Sequence, residues 1–541
     1  MKKRALLLLL VLLAFGVAMI GCQPSAPAAE EEAAPEATPA AEETPATEET
    51  PAEEETPPAE VEPTVLESLR VPEIASTESE IIYTQDQRAN LGGRDMIFWP
   101  DGNIGFIPMD GQYRFFAANG AVIGRTVGTF DDPGATVEDN RQLIQGLGTD
   151  FDYAAGGPVY RDPDTGMLLM FYHAEDHFGG SGMPFHAFIG LAASQDDGET
   201  FQDLGLILTT NAEPDVNAVC CADMGGATFT IRDGTFYLYF RDRMQIGYDV
   251  QLAVATAPVD EVVEAALSGT TSEWVKYFLD GTEPGLGGRS SPLEVGNPQT
   301  SWFSVSYNTA MDRFIMAIAR HGLLTDPAEL VLIASEDGFN WSPRVVLRDC
   351  DCELTYPTII SPDGNPLETG ETFYIYYVTT DPTAQYRWHA SPLNRMTVTL
   401  TGEMVELPHE WEFETDAGGW VPLNQIPSME ISDGALVIEP TGNDPYMQSP
   451  SLGLSTEAYT TIEVRMRSEA NGNGQFFFTS TDSPDIWETS SVRFPVRTGG
   501  WNTYTVEMAG APGWSGHLGI LRFDPIDQAA RVEIDYIRLL P

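Results

Sequence analysis

The sequence predicts an all-β chain, a five-bladed β-propeller followed by a β-sandwich. The first observation behind this is internal repetition. Gly156–Tyr172 reads GGPVYRDPDTGMLLMFY: a strand, a polar turn at Asp162–Gly166 and a second apolar strand. Related segments begin at Gly105, Gly225, Ser304 and Tyr356, so successive starts lie 51, 69, 79 and 52 residues apart. Self-similarity at such spacing marks a radial array of sheets rather than one sandwich. The second observation is that further strands follow the better copies, at Phe188–Ser194, Val250–Thr256, Leu330–Ser335 and Tyr386–Ser391. Each unit then has about 65 residues, enough for a four-stranded blade with long loops. The third is a change of character beyond residue 406. Alternating runs at Ile462–Met466, Gln475–Thr479 and Tyr504–Met508 give a sandwich pattern.

The chain opens on Lys2, Lys3 and Arg4, followed by the apolar run Ala5–Ile20. The run is too short to span a membrane comfortably and is flanked like a signal peptide. Met19-Ile20-Gly21-Cys22 resembles a bacterial lipobox. That resemblance implies cleavage after residue 21 and lipid attachment at Cys22; an ordinary secretory signal with a chance cysteine is the alternative. The expectation is an exported protein anchored by lipid at the bacterial cell surface. Its folded part would be extracellular or periplasmic, touching the membrane through the anchor only. Residues 22–79 are assigned to a tether. Within it, 23–62 holds 13 Glu and no Lys, Arg, aromatic, Ile or Leu. Such a segment cannot bury a core, and its like charges keep it extended. Formal charge is −53, from 28 basic and 81 acidic residues. No basic stripe survives that balance, so nucleic acid is excluded as a partner. An acidic surface suits a soluble extracellular protein or a salty habitat.

Residues 80–406 carry the repeats, with a short helix expected at Asp260–Leu267 from its apolar spacing. Two turns stand out. Ser194–Phe201, SQDDGETF, fits the pattern S-x-D-x-G-x-T-W/F, and Ser335–Trp341 is a shorter relative. They resemble the Asp-box hairpins between outer blade strands in sialidases and other propeller glycosidases. The Asp side chain would bond the turn amides, Gly would take the positive φ and the aromatic would pack beneath. Both are structural markers without a catalytic role.

Residues 408–541 begin with WEFE at Trp411–Glu414, pass through DPYMQSP at Asp444–Pro450 and end with VEIDYIRL at Val532–Leu539. These segments resemble the jelly-roll carbohydrate-binding modules appended to secreted glycosidases. In such modules carboxylates of the first and last strands share a structural calcium, and by position Glu414 and Asp535 are the candidates. Two solvated carboxylates on strand faces are the alternative. No cofactor for catalysis is expected. Besides Cys22 the chain has Cys220, Cys221, Cys350 and Cys352. An even number in an exported protein suggests disulfides, with three pairings open. CC plus CDC lacks the usual zinc-ligand spacing.

A propeller supplies a geometric rule for finding a site. Residues just before the inner strands and just after the second strands share one end of the central channel. Before the inner strands lie Asp101, Asp152, Asp223 and Glu353. After the second strands lie His173 and Glu175, Arg241 and Arg243, then Arg320 and His321. The same end receives all four mature cysteines. Carboxylates, histidines and arginines gathered around an axis suit sugar chemistry. Glycoside hydrolysis needs one carboxylic acid and one carboxylate, and crowded carboxylates push each other's pKa values apart. Arg and His would hold sugar hydroxyls or an acidic sugar's carboxylate. Trp302, Tyr356 and Trp388 offer either aromatic faces or blade packing.

By its unit count, its inner-strand style and the S-x-D-G-x-x-W turn, the repeat region resembles the five-bladed propeller glycosidases, the superfamily of glycoside hydrolase families 43, 32, 62 and 68. The resemblance covers about three fifths of the chain and rests on repeats, without a diagnostic catalytic motif. Family 43 uses an Asp base in blade one, an Asp that tunes pKa in blade two and a Glu acid in blade three. Asp101, Asp152 and Asp223 occupy those blades here. The third is Asp where the family has Glu, and Glu353 lies in a different blade. The resemblance implies a surface-anchored glycoside hydrolase acting on poly- or oligosaccharide. Asp223 is then the favoured acid or base, Asp101, Asp152 and Glu353 its partners, and His173 and Arg241 substrate-positioning groups. The alternative is a non-catalytic lipoprotein that captures polysaccharide.

Overall fold

The computed structural model describes residues 70–541 except 149–150, 181–183, 212–223, 243–250, 280, 294–299, 321–327, 382, 384–390, 451, 481–482 and 484–485. Cys22, Cys220, Cys221, Asp223, Arg243, His321 and Trp388 therefore lie outside the described residues, as does the leader. Among the described residues no helix is long and apolar enough to cross a membrane.

Five sheets follow one another from residue 105 to 406, and apart from short or closing additions the strands of each run outward in chain order from one inner strand. The innermost strands are Gly105–Met109, Tyr153–Arg161, Met224–Arg232, Thr300–Asn308 and Glu353–Ile360. They meet at the axis through side chain to backbone bonds. Thr228 Oγ1 accepts from the Val305 amide at 3.2 Å, Ser304 Oγ from the Ile359 amide at 3.0 Å and Thr358 Oγ1 from the Ile104 amide at 3.0 Å. Small hydroxyl residues sit here because the inner strands crowd together and their amides need partners. Gly105 and Gly157 serve the same crowding. A Cβ on Gly105 would overlap the Gly157 carbonyl, and one on Gly157 the Asn103 carbonyl.

The ring closes with a strand from the other end of the propeller. Arg70–Tyr83 pairs antiparallel with Leu393–Glu406 and forms the outer edge of blade five. Residues 70–79, placed in the tether from composition, thus belong to the fold. Outer blade strands face water, so Thr77–Ile81 is exposed throughout and carries no apolar signal. Blades are also stitched to neighbours by short parallel additions. Ile144–Gln145 pairs with the outer strand of blade two at Phe201–Gln202, and Glu368–Thr369 from the blade-five hairpin pairs with Tyr307–Asn308 of blade four.

The helix expected in blade three spans Val259–Leu267 and buries Val262, Val263 and Ala266. The two marker turns are held by local bonds. In the first, Ser194 Oγ donates to Asp196 at 2.7 Å, the Thr200 amide donates to the same carboxylate at 3.0 Å, and Phe201 is buried. Burial works against the Asp196 charge, yet these bonds hold its carboxyl below the usual range. In the second, the Phe339 and Asn340 amides donate to Asp337 at 2.8 and 2.7 Å. Gly198 and Gly338 take φ of 79° and 80°, the left-handed conformation these turns require.

The C-terminal segment forms two antiparallel sheets, one containing Thr461–Ser468 and Val532–Leu540, the other Gly472–Ser480 and Leu518–Asp524. Their inner faces enclose one core that includes Trp411, Leu436, Phe476, Phe478, Phe523 and Ile537.

Candidate active site at the propeller axis

The loop from the first helix to blade one is shaped by one buried cation. Arg88, 2% exposed, donates from Nε to the Trp99 carbonyl at 2.7 Å. Its other nitrogens donate to Ser391 O at 2.7 Å and Phe98 O at 3.0 Å. Burial lowers its pKa to about 10, although Asp101 opposes that shift. The helix carrying Arg88 starts at a capping box, with Thr84 accepting from the Gln87 amide and Gln87 from the Thr84 amide. This arrangement sets the path of residues 98–101 and delivers Asp101 to the axis.

Asp101 lines a cup of about 210 Å³ at one end of the channel, together with Tyr153, His173, Glu175, Arg241, Trp302 and Tyr356. These residues come from blades one to five, and they include residues before inner strands and after second strands, as the geometric rule requires. Asn103 forms part of the lining nearest the axis. Its amide nitrogen donates to Phe303 O and Pro357 O, both at 2.8 Å, and its oxygen accepts from Trp302 Nε1 at 2.7 Å. One side chain thus joins blades one, four and five.

Inner strands enter the cup through bulges. Pairing shifts between Gly156 and Val159, between Gly225 and Thr228, and between Thr355 and Thr358. A bulge re-aims a side chain. Here it turns Tyr356, at φ 54°, so that its hydroxyl donates to Asp101 Oδ1 at 2.9 Å. A left-handed aromatic residue costs of order 1–3 kcal/mol, a cost commonly found at functional sites. Trp302 packs edge-on to Tyr356 at 5.2 Å and carries the Arg241 guanidinium over its ring at 4.5 Å.

The two carboxylates of the cup are driven apart. Burial pushes the Asp101 carboxyl above its ordinary range, with a further push from the Glu175 charge. The Tyr356 hydroxyl, Arg88 and the Gly120 amide only partly offset this. Burial acts on Glu175 too, but His173 and His177 outweigh it and hold its carboxyl below the ordinary range. His173 Nε2 lies 2.8 Å from Oε1 and His177 Nε2 lies 2.7 Å from Oε2.

Of the residues named from sequence, Asp101, His173, Glu175, Arg241, Trp302 and Tyr356 meet in the cup. Asp152 does not line it: its side chain stands at the rim, 40% exposed, and accepts from the His177 amide at 3.3 Å. Successive strand residues face opposite ways, and Tyr153 takes the inward position. Glu353 pairs with Thr380 at the start of its strand and is replaced in the cup by Tyr356, within the bulge. Arg320 does not line the cup: it is buried in an ion pair with Glu329 of the adjacent strand, with Arg344 3.5 Å from the same carboxylate. Tyr153 and His177 were not singled out from sequence. The alternation His173-x-Glu175-x-His177 was the signal for the latter.

Cys350 and Cys352 are disulfide-bonded to each other, just before the inner strand of blade five. In the C-terminal domain Asp535 is ion-paired with Arg465, and Glu414 is exposed. Among the described residues no group of three or more His, Cys, Asp or Glu is arranged to hold a metal ion.

No protein-family model and no curated relative matches the chain. Solved structures similar to it include a glycoside hydrolase family 43 arabinoxylan arabinofuranohydrolase from Bacillus subtilis, at 10% identity and TM-score 0.34, covering 85% of this chain and 99% of that one. The catalytic domain of a family 62 α-L-arabinofuranosidase from Coprinopsis cinerea is similar at 12% identity and TM-score 0.37, covering 61% of this chain and 98% of that one. A sucrose-6-phosphate hydrolase from Lactobacillus gasseri is similar at 12% identity and TM-score 0.35, covering 81% and 90%. The propeller assignment itself rests on the sheet order and the bonds at the axis.

Proposed function

We propose that this protein is a glycan-active enzyme, a glycoside hydrolase whose chemistry takes place in the axial cup. One observation carries the reading: Asp101 and Glu175, from two blades, line one small cup and have their pKa values displaced in opposite directions. A carboxylate held ionised beside a buried carboxyl whose pKa it raises is one way to tune a group for acid–base cleavage of a glycosidic bond. Arg241 over the Trp302 ring, with Tyr153 and Tyr356 beside it, gives a mixed polar and aromatic lining suited to sugar. The volume of about 210 Å³ is small for a ligand pocket and suits one terminal sugar rather than a threaded chain. Asp101 stands in blade one, where a base is expected from the resemblance. Its partner acid is assigned to Asp223, which precedes Met224 of blade three.

The test is release of reducing sugar from a panel of plant and microbial polysaccharides by the purified protein. Release of monosaccharide from at least one substrate is expected; a panel that binds without any release would move the function to capture. That second reading has an observation of its own, since both carboxylates of the cup already accept hydrogen bonds from protein groups. For location, the proposal is lipid attachment at Cys22. Cys22→Ser is expected to move the protein from the membrane fraction to the soluble fraction; retention in the membrane would count against the anchor.

A further inference from the structure

His173, Glu175 and His177 sit at alternate positions along the second strand of blade two and its end, so their side chains fall on one face. They form a chain of contacts from blade three toward the rim. His173 Nδ1 lies 3.1 Å from the Met224 carbonyl, and Nε2 lies 2.8 Å from Glu175 Oε1. His177 Nε2 lies 2.7 Å from the other carboxylate oxygen, Oε2. Asp152 Oδ1 stands 3.8 Å beyond, at the solvent side. The three clamp side chains are largely buried, at 14%, 17% and 15% exposure, whereas Asp152 is 40% exposed.

Hydrogen-bond chemistry fixes where protons sit along this chain. A carbonyl oxygen only accepts, so His173 Nδ1 must donate to Met224. A carboxylate also only accepts, so in such an arrangement both Nε2 atoms carry hydrogen, which makes His173, with both ring nitrogens donating, the charged partner of Glu175. We infer that Glu175 is the shared acceptor of a His-Glu-His clamp and acts as a positioning residue, with His177 as its outer arm. Both oxygens of Glu175 are committed to ring N–H donors. Its charge is thereby fixed in the cup wall facing Asp101, Tyr153, Tyr356 and Arg241. The carboxyl left to react is Asp101, whose protonation the fixed charge of Glu175 biases. This assignment of roles rests on the glycan reading, whereas the clamp itself does not.

The clamp is tested without reference to any substrate. Full-length protein labelled with 15N at its 7 histidines is observed at pH 7 by long-range proton–nitrogen correlation. His173 and His177 are each expected to show an Nε2–H signal, His173 with Nδ1–H as well. Glu175→Gln is expected to abolish or strongly shift both. His177→Ala, which removes a rim side chain and leaves strand pairing intact, is expected to delete one signal and keep that of His173. This second variant decides the matter should Glu175→Gln fail to fold. A wild-type spectrum in which His173 has a bare Nε2, or Nε2–H signals indifferent to Glu175→Gln, would overturn the clamp. A clamp verified in a protein that releases no sugar would retire the hydrolase reading and leave the clamp standing.

Discussion

Asp101→Asn is expected to reduce glycan release by roughly 10²–10⁴-fold, the range for loss of a general acid or base, while binding survives. The exchange keeps size and keeps an acceptor for the Tyr356 hydroxyl and the Gly120 amide, which now hold the carboxylate. It removes the one carboxyl of the cup whose oxygens are not both engaged by ring nitrogens. A kcat loss with little change in KM identifies a group acting in the transition state. The pH profile carries the sign. As a base, Asp101 must be ionised, and its carboxyl is raised above the ordinary Asp range by burial and by Glu175. Activity is therefore expected to fall as pH drops through that raised value, on an acid limb displaced upward from an ordinary aspartate. Glu175→Gln removes the neighbouring negative charge and should move that limb down. An acid limb that stays put in Glu175→Gln would contradict the coupling.

The second large effect concerns Arg88. Replacing it with Met keeps the apolar stem and removes a guanidinium that donates to the carbonyls of Trp99, Ser391 and Phe98 in the interior. Each carbonyl left buried without a donor costs about 1–3 kcal/mol, and these penalties do not add fully. The expected loss is about 3–5 kcal/mol, read as a drop in the urea midpoint at unchanged slope. The loop from Phe98 to Asp101 and the segment at Ser391 in blade five should loosen together, since Arg88 ties them. A loss below about 1 kcal/mol would mean that water replaces the guanidinium and that the loop path is set elsewhere.

The repeat architecture was legible because inner and second strands of each blade are buried on both faces and read as apolar runs bounded by turns. The marker turns were legible because their chemistry is local: Ser194, Asp196 and Gly198 make their own bonds within one hairpin. The closing strand was not legible. Its partner lies more than 300 residues away and its exposed edge is polar. The axial rule found Asp101, His173, Glu175 and Arg241 because strand direction alone fixes which end they occupy. It could not choose between Asp152 and Tyr153, where facing depends on a one-residue register. Nor could it see past the bulge that brings in Tyr356 instead of Glu353. Arg320 misled for a different reason: at a strand end it satisfied the rule, but the carboxylate across the sheet, Glu329, claimed it.

The most direct measurement is a crystal structure of Asp101→Asn grown with an oligosaccharide that the wild-type protein cleaves. The account predicts one sugar ring in the axial cup, packed against Trp302 and within hydrogen-bond reach of residue 101 and Arg241. Sugar bound only to the C-terminal sandwich, with the cup empty, would contradict it.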